Sequence, residues 1–222
     1  EMSDIINRLE DHVASARMKT TPVIDFEKNE SLKGLDYLDT IYHAIVNEHP
    51  IQLKYRSFKA RSANSFIFYP YLLKEYRNRW FVYGVRGNGR ILQNLALDRI
   101  QSLEVLPQEH YIKNTFFDPN TFFDDLVGVT KNTGSVAEKV GFKVAAAEAP
   151  YIITKPIHRS QQVMERLADG SVILEIEVVI NHELERVFFG YAEGIQVLYP
   201  KTLVELMGRK LKKAAEQYTH SK

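Results

Sequence analysis

Residues 182–186 read HELER, and a histidine followed at once by glutamate on a helical stretch is how a zinc-hydrolase helix begins. The motif works because a second histidine four residues on reaches the same metal from the same helix face. Arg186 stands at that place, so the zinc reading fails. Asp36, Asp39 and His43 have metal-compatible spacing, but on the polar face of an amphipathic segment such groups are ordinarily solvated surface. GVRGNGR (84–90) carries three glycines, yet it lies between two strand-like runs. A phosphate cradle needs a helix N-terminus behind it, so a hairpin turn is the better reading. There is no cysteine, which excludes thiolate nucleophiles, disulfides and cysteine metal sites. No GxSxG motif occurs, and no catalytic residue, metal ligand or cofactor is assigned.

A cluster of basic and aromatic residues remains. Lys54 and Arg56 alternate to one side of a strand-like run, Lys59 and Arg61 follow it, and Arg77 and Arg79 sit at a hairpin. Phe66, Phe68, Tyr69, Tyr71, Tyr76, Trp80, Phe81 and Tyr83 crowd the same elements. Aromatic faces stack bases and arginines fork onto phosphates, so this is a physical recipe for nucleotides or single strands. A β domain with an aromatic core and solvated arginines fits the same residues, and both readings stay open here.

The elements that must position these residues follow from periodicity. Apolar residues at steps of three and four predict a helix over residues 1–18, a second from Ser31 to Pro50 and an amphipathic helix over 201–218. The last carries the stripe Leu203, Leu206, Met207, Leu211, Ala214, Ala215 and Tyr218. From Ile51 the period becomes two, and strands are expected at 51–55, 66–70 (ended by Pro70), 71–76, 79–84, 91–97 and 101–106. Arg77-Asn78 reads as a two-residue hairpin turn. On strand alternation Trp80 and Val82 point inward, while Arg79, Phe81 and Tyr83 take the other face. A short helix carrying Phe122, Phe123 and Leu126 is expected after Asp118-Pro119, inside a hinge over 114–135. The second half reads β-α-β-β-α-β-α, an α+β sandwich.

Charge and length bound the function. Lys and Arg total 29 against 28 Asp and Glu, so nucleic acid would have to be held by a local patch. No apolar run reaches the roughly 18 residues of a membrane span, and no signal peptide opens the chain. A soluble, cytoplasmic protein is expected. The chain opens on Glu1 with an amphipathic fragment already under way, which leads us to expect a longer native protein.

RWFVYG (79–84) followed by LALDRI (95–100) resembles the WYL domain, with Trp80-Phe81-Val82 in place of its Trp-Tyr-Leu triplet. The strand QLKYRS, the pair Tyr69-Pro70 and Leu97-Asp98-Arg99-Ile100 support it. The second half, with KPIHRSQ, DGS, VLYP and a terminal helix, is similar to the extension that commonly follows WYL domains. The resemblance covers about residues 35–220. It implies a small Sm/SH3-like β-barrel with a leading helix over 35–113 and, after the hinge, an α/β (ferredoxin-like) domain over 136–222, with residues 1–34 a helical segment and linker. It further implies the ligand-sensing portion of a bacterial transcriptional regulator without enzymatic activity. Such a regulator contacts DNA through an N-terminal helix-turn-helix absent from this chain, is a homodimer, and answers to single-stranded nucleic acid or a nucleotide. The site residues expected on this basis are Lys54, Arg56, Arg61, Arg79, Trp80, Tyr83, Gln93, Asn94 and Arg99. Within it Arg56, Arg61 and Arg79 would hold phosphates and Tyr83 would stack a base. Where the family often carries basic residues, Gln93 and Asn94 offer amides, which hydrogen-bond bases or sugars but neutralise no phosphate. The alternative is a dimerisation module with no small ligand.

Overall fold

The computed structural model describes residues 34–58, 60–87, 89 and 91–219, which fold as α+β around two antiparallel sheets. The helix expected over 1–18 and Lys59 lie outside the described residues. The leading helix is α1 (Leu38–Val46), preceded by a 3-10 turn at Leu35–Tyr37. Ile41 and Ala44 face inward at the three-residue spacing of its apolar stripe; no side chain caps its N-terminus, while Asn47 closes its C-terminus by donating Nδ2 to the His43 carbonyl at 2.8 Å.

The first sheet comprises β1 (Ile51–Tyr55), β2 (Asn64–Tyr76), β3 (Arg79–Arg86), β4 (Gln93–Ala96) and β5 (Ile100–Val105). Its order is β4-β3-β2-β1-β5. Among the described residues no ladder joins β4 to β5, so the sheet is not a closed barrel. Ile41, Ile51, Leu53, Phe68, Val82, Leu97 and Ile100 form its core.

Two expected strands are one. β2 runs through Pro70, where the register against β3 shifts between Pro70 and Leu72. A proline at a bulge sacrifices no ladder hydrogen bond, so the residue that would end a regular strand only kinks this one. Arg77 and Asn78 both have positive φ, 50° and 59°, as the two central residues of a twisted hairpin turn require.

The second sheet contains β6 (Glu138–Val144), β7 (Gln162–Arg166), β8 (Val172–Val178) and β9 (Ile195–Tyr199) in the order β7-β8-β6-β9, all antiparallel. Helices α2 (Ala149–Thr154) and α3 (His182–Gly190) connect β6 to β7 and β8 to β9, and α4 (Lys201–Thr219) ends the described chain. Phe142, Leu174, Ile176, Leu184, Phe188 and Leu203 close this second core. Of the stripe expected on α4 only Leu203 and Met207 are buried, with Leu206 packed beside them. The helix then runs past the sheet, so Leu211 through Thr219 are exposed. No helix among the described residues is long and apolar enough to cross a membrane.

The short helix expected at 122–126 is instead a succession of turns. Thr121 and Phe122 donate to the Asp118 carbonyl, and Asp124 and Leu126 donate to Thr121 and Phe123. Phe117, Phe122 and Phe123 gather around Tyr83, with ring centroids 5.3–6.1 Å from it. Aromatic burial across the chain, rather than local helix propensity, sets the path of this segment.

Candidate functional site

β1 ends at Tyr55, and the next residue stays in the sheet's hydrogen-bond system: the Arg56 N–H donates to the Arg99 carbonyl at 3.1 Å. Arg99 closes a 3-10 turn, Leu97–Arg99, that feeds β4 into β5. Leu97 anchors the turn in the first core. Gly34, at φ 89°, lies against the same turn so closely that a Cβ there would stand 2.5 Å from the Leu97 carbonyl. Only glycine permits that approach. Asp98 and Arg99 are thereby held at the end of the sheet beside Arg56.

These segments line an open cleft of about 300 Å³ formed by Arg56, Ser57, Phe58, Asp98, Arg99, Ile100 and Gln101. The Arg99 guanidinium lies over the Phe58 ring, 4.5 Å from its centroid. Its Nε is covered from solvent with no hydrogen-bond partner among the described residues, and so is Asp98 Oδ1, 4.0 Å away. Asp98 Oδ2 takes Arg79 Nε at 3.2 Å. One carboxylate thus stands among Arg56, Arg79 and Arg99, which leaves the cleft cationic. The Tyr55 hydroxyl is held above its usual pKa by burial, with the Arg99 charge pulling the other way. An arginine stacked on an aromatic ring can receive an anionic group on its guanidinium or extend the stack with a planar one.

The structure brings together Arg56 and Arg99, with Arg79 joined through Asp98. Lys54 is exposed on β1 opposite Ser102 of β5, and Arg61 is exposed in the connection to β2. Gln93 and Asn94 sit on β4, at the other edge of the strand order. Trp80 is half-buried against the first core and Val82 is fully buried in it.

Tyr83 points to the opposite face, as alternation requires, but that face is covered. Tyr83 is 2% exposed, its ring is enclosed by Phe117, Phe122 and Phe123, and its hydroxyl donates to the Val129 carbonyl. Burial raises its pKa well above the ordinary tyrosine value. The base-stacking role expected for Tyr83 is closed to it in this arrangement, because both ring faces are already in contact with the chain. Asn94 Nδ2 donates to the same carbonyl at 3.0 Å, so its amide is likewise committed.

Phe58, Asp98 and Gln101 escaped sequence reasoning as site residues. An aromatic lodged in the basic run RSFKAR was the available signal for Phe58. Asp98 stood next to Arg99, but its bond to Arg79 spans 19 residues and has no local signature. Elsewhere His182 lies 3.7 Å from Glu185, whose other oxygen accepts from Lys210.

A WYL domain occupies residues 36–105 and a WCX domain residues 137–215, so the chain is a WYL-domain protein with a WCX domain after it. Among solved structures it is similar to proteasome accessory factor B/C (PafBC) of Arthrobacter aurescens at 16% identity and a TM-score of 0.34, covering 91% of this chain and 30% of that one. A CRISPR Cas-related protein is similar at 13% identity and a TM-score of 0.47, covering 82% of this chain and 50% of that one. The chain therefore spans half or less of the length of either. No curated protein sequence matches it.

Proposed function

We propose that the chain is the ligand-sensing portion of a transcriptional regulator, and that the Arg56–Phe58–Arg99 cleft receives a nucleotide or single-stranded nucleic acid. The observation that carries this reading is the Arg99 guanidinium stacked on Phe58 in a cleft that Arg56 also lines, where the one carboxylate, Asp98, is shared between Arg79 and Arg99. Phe58, 72% exposed, offers the ring face for a base that Tyr83 does not. Lys54 and Arg61 extend the positive surface along which a strand would run. WYL and WCX domains are regulatory rather than enzymatic, and DNA would be contacted by a helix-turn-helix in a longer protein. We read the first sheet as an open Sm-like barrel and the second as ferredoxin-like, in a cytoplasmic homodimer.

Fluorescence anisotropy with a labelled single-stranded oligonucleotide at low salt tests this. Binding that weakens in Arg99→Ala and Phe58→Ala supports it, and equal affinity in both variants would sink it. The reading as a dimerisation module without ligand draws on α4, whose residues Leu211, Ala214, Ala215 and Tyr218 continue the apolar stripe beyond the second core with no covering element among the described residues. Sedimentation at two salt concentrations separates the two: a salt-independent dimer that binds no oligonucleotide favours the second.

A further inference from the structure

A cavity larger than this cleft lies away from it. It holds about 520 Å³, within the range of small-molecule sites, and opens between the β2–β3 turn and the second lobe. Arg77 and Tyr76 line it from the turn, Lys155 from the end of α2, and Arg186, Gly190 and Tyr191 from α3 and its C-terminus. Lys155, Arg186 and Arg77 are exposed, and none forms an ion pair with a described residue.

No carboxylate lines the cavity among the described residues; of the acidic groups nearest in sequence, Glu75 accepts the Asn78 N–H and Glu193 is exposed, while three others hold cations of their own. Asp125 holds Lys131 at 2.8 Å, Asp124 holds Arg159 at 2.8 Å, and Glu185 holds Lys210. Glu183 lies beneath the floor: one oxygen accepts from Thr130 Oγ1 at 2.7 Å and the other is shut off from solvent. Its charge acts on Tyr76 but is opposed there by Arg77 and Arg186. Among the lining side chains and the Glu183 beneath them, three cations stand against one carboxylate. The Tyr76 hydroxyl, kept protonated by burial, adds a neutral donor.

We propose that this cavity is a second, separate anion site, one that takes a phosphate-bearing small molecule of nucleotide size, with Arg77, Lys155 and Arg186 on its phosphates. Three cations on three different elements suit a di- or triphosphate better than a monoanion, because each contributes only when its own oxygen is present. The tyrosines at the rim leave room for a flat group beside the phosphates. A ligand seated here bridges the β2–β3 turn to α2 and α3, and so stiffens one lobe against the other.

Titration calorimetry with ADP, pyrophosphate and adenosine at low salt tests the site. ADP and pyrophosphate should bind and adenosine should not. The titrations are made in an Arg56→Ala/Arg99→Ala background, which disables the first cleft; there Lys155→Ala and Arg186→Ala should each weaken ADP about tenfold or more, and Arg186→Glu should abolish it. These positions are exposed, and unchanged melting temperatures will confirm that the variants are folded. No heat from ADP or pyrophosphate at millimolar concentration overturns the proposal. So does ADP binding in that background that survives Arg186→Glu, whereas ADP binding seen only when Arg56 and Arg99 are intact places the nucleotide in the first cleft alone.

Discussion

Tyr83 and Asn94 face each other across β3 and β4, and both donate to one carbonyl, that of Val129. On either side of Val129 in the chain, Asn181 Nδ2 donates to the carbonyls of Val127 and Thr130 at 2.9 and 3.0 Å, while its Oδ1 caps α3 by accepting from the Leu184 N–H. The segment 127–130 is therefore gripped from the first sheet on one side and from α3 on the other.

That shared acceptor predicts non-additive energetics. Tyr83→Phe leaves Val129 its bond from Asn94, and Asn94→Ala leaves the bond from Tyr83, so each should cost about 1 kcal/mol. The double variant leaves a buried carbonyl with neither donor and should lose more than the sum. Urea denaturation of the four proteins measures this, and strict additivity would show that the carbonyl finds water instead.

Tyr71 predicts a pH dependence. Its hydroxyl is buried without a partner among the described residues, and burial raises its pKa to about 12. The folded state therefore favours the neutral phenol, which stabilises the protein fully below the unfolded pKa near 10 and decreasingly as pH rises towards 12. Tyr71→Phe should flatten the decline between pH 10 and 12. At pH 7 it should be neutral or stabilising, since it removes an unsatisfied polar atom and keeps the ring stacked on Phe116. Urea midpoints at pH 7 and pH 11 check both statements.

Asp98 restrains the charge of the first cleft. Asp98→Asn frees Arg79 and Arg99 while keeping the shape of the side chain. If the cleft holds a phosphate backbone, affinity for a single-stranded oligonucleotide should rise and the log–log salt slope should steepen by roughly 0.7–1. Arg99→Ala should move both quantities the other way. An Asp98→Asn protein with unaltered affinity and slope would place the phosphates elsewhere.

Gly34 and Gly134 form a controlled pair. Both have positive φ, 89° and 81°, but a Cβ at Gly134 meets nothing within 4 Å while one at Gly34 meets the Leu97 backbone at 2.5 Å. Gly134→Ala should cost only the conformational penalty of about 1–2 kcal/mol. Gly34→Ala should cost clearly more and also weaken ligand binding at the cleft, because the turn bearing Asp98 and Arg99 must shift. Thermal unfolding with the binding assay above distinguishes the two.

Much of the architecture is written in local pattern. The change from a period near four to a period of two marks where α1 gives way to β1, and Arg77-Asn78 announces its hairpin, because these signals rest on residues within a few positions of each other. The basic character of β1 and the arginine at the start of β5 were legible for the same reason. The passage of β2 through Pro70 was not, since a bulge is defined by the partner strand. Nor was the fate of Tyr83: alternation placed it on the outer face of β3, but whether that face is wet depends on Phe117, Phe122 and Phe123, more than thirty residues further on. Asp98 likewise becomes the counter-ion of Arg79 only when β3 and the turn after β4 meet. Sequence by itself determined which residues alternate, turn and carry charge. The tertiary structure alone decided which charges are paired and which aromatic faces remain open, because burial and ion pairing are properties of contacts between distant segments.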